Sequence, residues 1–215
     1  MVSSRIHRLL HQRRCGSALA LLALTMLTSC GDGTDPGSKT ALSIKLTDAP
    51  GDIQHAFVSI IEIHLVGQGG RLVLRDDPYT ADLLTLAGAT ADVVTDAQVP
   101  SGTYHELRFV ISGACIAVEN ETGGTDVYTT TGYDSDPCGG PASGTLVAPS
   151  FTESGLKVVL NADALEIVGA QKVLLVDFDV EQSFGQEAGQ SGRWTMHPIV
   201  TGGELKAADF APARP

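Results

Sequence analysis

The chain has 215 residues, with 14 Lys+Arg against 25 Asp+Glu, for a formal net charge of -11. So acidic a chain lacks the basic stripe of a nucleic-acid binder, and a hydrophobic fraction of 43% excludes wholesale disorder. It reads as one globular domain with a short appendage.

The N-terminus carries Arg5, Arg8, Arg13 and Arg14 and no acid before an apolar run from Ala18 to Leu27. This is the pattern of a secretory signal, and the run is too short to span a bilayer, which takes about 20 residues. It ends in Leu27-Thr28-Ser29-Cys30, which resembles the bacterial lipobox, where a small residue precedes a lipidated cysteine. The resemblance implies a signal peptide over 1–29, cleavage before Cys30 and a membrane anchor of two or three acyl chains; one chain alone binds only marginally. A chance cysteine after an ordinary signal peptide is the alternative. Processing removes four Arg and no acid, so the charge becomes 10 - 25 = -15. Gly31 rather than Asp after Cys30 implies, by resemblance to Gram-negative sorting, the outer membrane.

Residues 30–40 then form a lipidated cysteine and tether, Gly31 to Thr40 (GDGTDPGSKT) holding no large apolar side chain. Ten such residues have a root-mean-square reach of about 18 Å. From Ala41 the apolar residues follow a period of two, as in Leu42-Ile44-Leu46 and Phe57 through Leu65. Further strand-like runs are Arg71–Arg75, Tyr104–Glu119, Val127–Thr131, Leu156–Leu160, Lys172–Glu181 and Trp194–Val200. About eight or nine strands predict an all-β sandwich over 41–205, with a flexible tail over 206–215. Ala81–Leu86 and Ala91–Ala97 are the short helix candidates.

Cys15 and Cys30 belong to the export region, which leaves Cys115 and Cys138 as one pair in a compartment that permits oxidation. A structural disulfide is predicted, closing a loop of about 24 residues for roughly 3.4 kcal/mol in the chain-entropy model. Two separate thiols are the alternative, and two are too few for structural zinc.

Three fragments carry a resemblance: Leu46-Thr47-Asp48-Ala49-Pro50-Gly51-Asp52, Val99-Pro100-Ser101-Gly102-Thr103-Tyr104, and Asp177-Phe178-Asp179 with Ser183 before His197-Pro198. In this order after a lipobox they resemble the bacterial lipoprotein family known as domain of unknown function 4382, over about Ala41 to Val200. The resemblance implies an exported sandwich similar to prealbumin-like modules, with no assigned activity. The segment between Cys115 and Cys138 is longer than the plain hairpin expected of that family.

Asp48 and Asp52 flank a Pro-Gly turn, where aspartates accept backbone N–H bonds. Asp177 and Asp179 share one strand face and Leu174, Val176, Phe178 and Val180 the other. Were the first and the late strand neighbours, the four carboxylates could converge on calcium, which takes six to eight oxygen ligands. Asp134-Ser135-Asp136 begins like a calcium loop but fails at Cys138 and Thr145. For enzymes the search is negative. His105-Glu106 lacks a second histidine, Gly189-Gln190-Ser191-Gly192-Arg193 lacks the last elbow glycine, and Gly67-Gln68-Gly69-Gly70 is a turn. His55, His64, His105 and His197 are scattered, although Glu62 and His64 share a strand face.

The sequence therefore predicts a non-enzymatic, lipid-anchored envelope module without a cofactor, unless calcium. Its partners are the membrane, through the lipid, and an envelope polysaccharide or protein, but not nucleic acid. Trp194 and Tyr104, with Tyr128 and Tyr133, are the candidates for stacking on a sugar. A calcium-stabilised adhesion module is the second reading, and a carboxylate-dependent hydrolase the third.

Overall fold

The computed structural model describes residues 38–49, 53–148, 155–160, 164–187 and 191–205. The expected signal peptide, Cys30, the tether before Ser38, Asp52 and the C-terminal tail lie outside them.

Two sheets form an all-β sandwich. The smaller takes β10 (Val159–Leu160), β15 (Ile199–Glu204), β12 (Gln171–Asp179), β1 (Lys39–Ala49) and β5 (Ala91–Pro100), in that order. The larger runs β13 (Phe184–Glu187), β14 (Arg193–Met196), β8 (Gly144–Val147), β7 (Thr125–Thr129), β6 (Gly102–Glu119), β2 (His55–Gly67) and β3 (Gly70–Arg75). Onto it also pair β4 (Tyr79–Asp82), β9 (Leu156–Lys157) and β11 (Leu165–Ile167). In β1 and β12, Leu42, Ile44 and Leu46 and Leu174, Val176 and Phe178 alternate inward. From the other sheet Val58, Ile60, Ile63 and Leu65 of β2 and Leu107, Phe109 and Ile111 of β6 complete one core. The two-residue period places alternate side chains on opposite faces, and burying one face supplies most of the driving force.

β1 and β12 lie side by side and parallel, with Leu42 opposite Lys172 and Asp48 opposite Phe178. The first and the late strand are thus neighbours.

Several expected elements differ. Ala91–Ala97 is not helical but the start of β5, antiparallel to β1. The pairing satisfies backbone groups along that side of β1, and a register shift at Ile44 accommodates Val93 and Val94, both buried. Ala81–Leu86 becomes the end of β4 and a 3-10 turn, Leu83–Leu86, capped by the Asp82 carboxylate on Leu84 N. The Leu156–Leu160 run divides between the sheets, β9 on β6 and β10 on β15, with Val158 N donating to Leu107 O. The Trp194–Val200 run likewise breaks at His197-Pro198. More and shorter strands result than the eight or nine expected.

β6 is buried on both faces over 113–118. Inside is the main core; outside, Cys115, Ala117, Val127 and Cys138 form a second small cluster with Phe57 and Tyr133 against it. The Cys115–Cys138 disulfide closes it, with the Cα atoms 6.2 Å apart. Gly113 admits the Tyr133 ring: a Cβ there would lie 2.5 Å from Tyr133 Cδ2. The long insertion is therefore a folded flap with its own core, pinned to the sheet. Replacing both cysteines, Cys115→Ala with Cys138→Ala, should cost about 3 kcal/mol in a denaturant titration; an unchanged midpoint would show that packing alone holds the flap.

Candidate functional site

The fragments that carry the family resemblance sit at two ends of the sandwich. At one end Asp48, on the inward face of β1 and 5% exposed, accepts a hydrogen bond from Val180 N at 3.1 Å. Val180 opens the single helical turn Val180–Ser183, and Asp179 caps it by accepting from Gln182 N at 2.8 Å. Ser183, fully buried, accepts from Ile199 N through its hydroxyl at 2.8 Å, and its carbonyl accepts from His197 N at 2.7 Å. Asp48, Asp179, Ser183 and the His197-Pro198 segment thus build one corner where β12 reverses.

The expected convergence of carboxylates does not follow from this neighbourhood. Asp48 lies with Leu46 on the inner face, while Asp177 and Asp179 lie on the outer face of β12, so the parallel register that joins the strands separates these groups. Asp52 is outside the described residues. No group of three or more His, Cys, Asp or Glu placed to hold a metal occurs among the described residues. Asp177 stands between Thr47 of β1 and Thr201 of β15. Its Oδ1 is buried with no hydrogen-bond partner among the described residues. Burial first, then the Asp179 charge, holds the Asp177 carboxyl above the usual range.

At the other end, a cleft of about 500 Å³ opens between the β2–β3 turn, Gln68 to Leu72, and the β5–β6 turn, Pro100 to Tyr104. Tyr104 forms its inner wall: the phenol donates to Pro100 O at 2.9 Å, and the ring lies where a Cβ on Gly67 would come within 2.9 Å. Burial raises its pKa. Polar backbone, Gln68, Ser101, Thr103 and Arg71 supply the rest of the rim. The cleft is thus lined by hydrogen-bonding groups with one aromatic wall.

The other aromatic candidates are elsewhere. Trp194, half-buried, packs on Tyr128 with ring centroids 5.2 Å apart, and Tyr133 covers Gly113. Tyr128 pairs with Ile116, which is 12 residues along β6 from Tyr104, so at 3.3 Å per residue roughly 40 Å separates the two sites. Tyr104 and Trp194 therefore do not form one platform.

Beside the cleft, the outer face of the larger sheet carries a ladder of ionisable groups unassembled by the sequence reading. Lys157 of β9 binds Glu106 at 3.0 Å, and Arg108 binds Glu106 at 2.7 Å. Across β2, His64 Nδ1 lies 2.6 Å from Glu62, whose carboxylate takes a two-pronged bond from Arg71. The hydrogen bonds from Arg71 hold Glu62 below the ordinary carboxylate range, and those from Arg108 and Lys157 do the same for Glu106. Burial, against the pull of Glu62, keeps the His64 imidazole below its ordinary value and hence neutral near pH 7. The signal was the alternation Glu62-x-His64 and Glu106-x-Arg108; strand pairing, invisible in it, brings them together.

Two outcomes test these assignments. Asp48→Ala should lower stability by about 1–3 kcal/mol by stranding a buried N–H, with Asp48→Asn, which keeps the acceptor oxygen, losing less; equal losses in a urea titration would refute the hydrogen-bond role. For Asp177 the raised folded value means that ionisation opposes folding above it, and that the cost disappears below about 3.9, the unfolded value. Asp177→Asn should therefore melt higher than the parent at pH 7 and level with it near pH 3. A calcium-dependent rise in melting temperature abolished by the same substitution would instead assign Asp177 a bound cation.

Neither a curated protein nor a solved structure matches the chain. A family model does, the domain of unknown function DUF4382, over residues 39–198, from the first residue of β1 to the Pro198 corner. The matched span takes in the larger sheet, the smaller one but for β15, the Asp48–Val180 corner and the cleft, and the chain belongs to the DUF4382 family.

Proposed function

We propose that this protein is a lipid-anchored, non-catalytic β-sandwich of the bacterial cell envelope that binds a partner through its cleft and loops. The observation that carries the reading is the Cys115–Cys138 disulfide. Such bonds persist in exported proteins and are rare in a reducing cytosol, so the bridge agrees with the export signal read from Arg5 to Cys30. Both cysteines are buried in their own small core, Cys115 fully and Cys138 at 2% exposure, as befits a structural bond. After cleavage at Cys30, the lipid would hold the protein at the membrane, and the Gly31 signal favours the outer one.

The cleft supports a binding role. Its rim of backbone amides, Gln68, Ser101, Thr103 and Arg71 against the Tyr104 wall suits a polar, uncharged or weakly acidic ligand such as a saccharide of the envelope. The flap pinned by the disulfide offers a second, protein-specific contact surface.

The anchor is tested by expressing the full chain in a Gram-negative host with labelled palmitate. The parent should fractionate with membranes and carry label, and Cys30→Ala should lose the label and leave the membrane fraction. An unlabelled, freely soluble parent would remove the reading.

A further inference from the structure

The point at which the chain enters the sandwich is fixed by hydrogen bonds. Ser101 N donates to Ser38 O at 2.9 Å, and the Ser38 hydroxyl donates to that of Ser101 at 2.9 Å. Ser101 belongs to the β5–β6 turn that walls the cleft. β1 therefore starts at the cleft end and runs to the corner at Asp48, the end near which β2 begins and β6 finishes, where Gln54 N bonds Ala117 O.

The tether is short compared with the domain. Cys30 is eight residues before Ser38, and eight residues span at most about 28 Å in any conformation. The sandwich extends roughly 40 Å from Tyr104 to Ile116, counted along β6. A lipid on Cys30 thus holds the Ser38 end near the headgroups.

Charge is distributed along the same axis. Lys39, Arg71, Arg108, Lys157 and Lys172 occupy the half nearer Ser38, where Glu62, Glu106 and Glu204 pair four of them and Glu166 and Asp96 add two exposed acids, so five cations stand against five acids. Residues 109–156 contain no Lys or Arg. Glu119, Glu121, Asp134 and Asp136 from that stretch are exposed at the far end and on the flap, with Arg193 of β14 as an exposed cation at the level of Cys115. An anionic lipid surface repels an acidic end over about a Debye length, near 8 Å at physiological salt, and tolerates an end whose acids are matched by bases.

We propose that the bilayer surface is the partner of the Ser38 end, and that the sandwich stands on it end-on with the disulfide-pinned flap pointing away. This rests on the lipid-anchor reading above. The cleft then opens toward the headgroups and receives its ligand from the membrane side, while the acidic far end and the flap face outward.

Energy transfer measures the orientation, because it falls with the sixth power of distance. The full lipidated chain is reconstituted in vesicles of phosphatidylethanolamine and phosphatidylglycerol bearing a dansyl-headgroup acceptor. The native donor, Trp194, is in register with Leu146 of β8 in the flap half. A second donor is added at either end, at the exposed turn residues Gln68 and Glu121. Gln68→Trp should add transfer several-fold greater than Glu121→Trp; since the latter also removes an acid, it would if anything be drawn toward the lipid. Equal transfer, or more from Glu121→Trp, overturns the orientation while leaving the anchor intact. A parent that does not float with vesicles, behaving as Cys30→Ala does, overturns the anchor itself and the orientation with it.

Discussion

The fold depends on the parallel pairing of β1 with β12, strands that begin 132 residues apart in the chain. Parallel neighbours cannot be joined by a tight turn, so the chain between them builds most of the larger sheet, adds β5 and β10 to the smaller one, and then returns. The loop-closure entropy of bringing such distant segments together is large, and the pair is secured by burial of Leu42, Ile44 and Leu46 beside Leu174, Val176 and Phe178. At its end the Asp48 carboxylate accepts from Val180 N and fixes where β12 stops. A buried N–H without a partner costs free energy comparable to a lost hydrogen bond, so a strand that continued past Asp179 would forfeit this contact.

That constraint gives a structural role to the fragments that carry the family resemblance. The aspartates of Leu46-Thr47-Asp48-Ala49 and Asp177-Phe178-Asp179 look, as sequence, like ligands waiting for a cation. In the fold Asp48 and Asp179 are backbone acceptors on a corner, while Asp177 is the strained member, held above its ordinary pKa by burial and by its neighbour. The Val99-to-Tyr104 fragment has its own task at the opposite end, where Ser101 receives the incoming chain and Tyr104 walls the cleft. In this chain those fragments are where the strands of the sandwich are tied together at its two ends.

The flap belongs to a different layer of the design. It adds a second core on the outside of a sheet whose inner face is already filled, and it does so around one disulfide, one glycine and one ring. A covering of so few apolar groups supplies little burial, which is where a covalent link between Cys115 and Cys138 has the greatest effect. The charged ladder beside the cleft is built on the same sheet by simpler means, alternate residues of β9, β6, β2 and β3 facing outward in register.

Alternation along β1, β2, β6 and β12 was enough to predict strands and their inward faces, because a strand's two-residue period is local. The disulfide was equally legible, since two remaining cysteines leave one pairing. The Ala91–Ala97 segment was not, because its strand state comes from the open side of β1, a partner about 50 residues away in sequence. Nor was the splitting of Leu156–Leu160 between two sheets, which is decided by where Val158 meets Leu107. The separation of Asp48 from Asp177 and Asp179 lay beyond sequence for the same reason. By itself the sequence determined the all-β class, the cysteine pair and the family; tertiary structure alone decided the parallel register, the corner, the cleft and the ladder, because each is a relation between strands that no local period records.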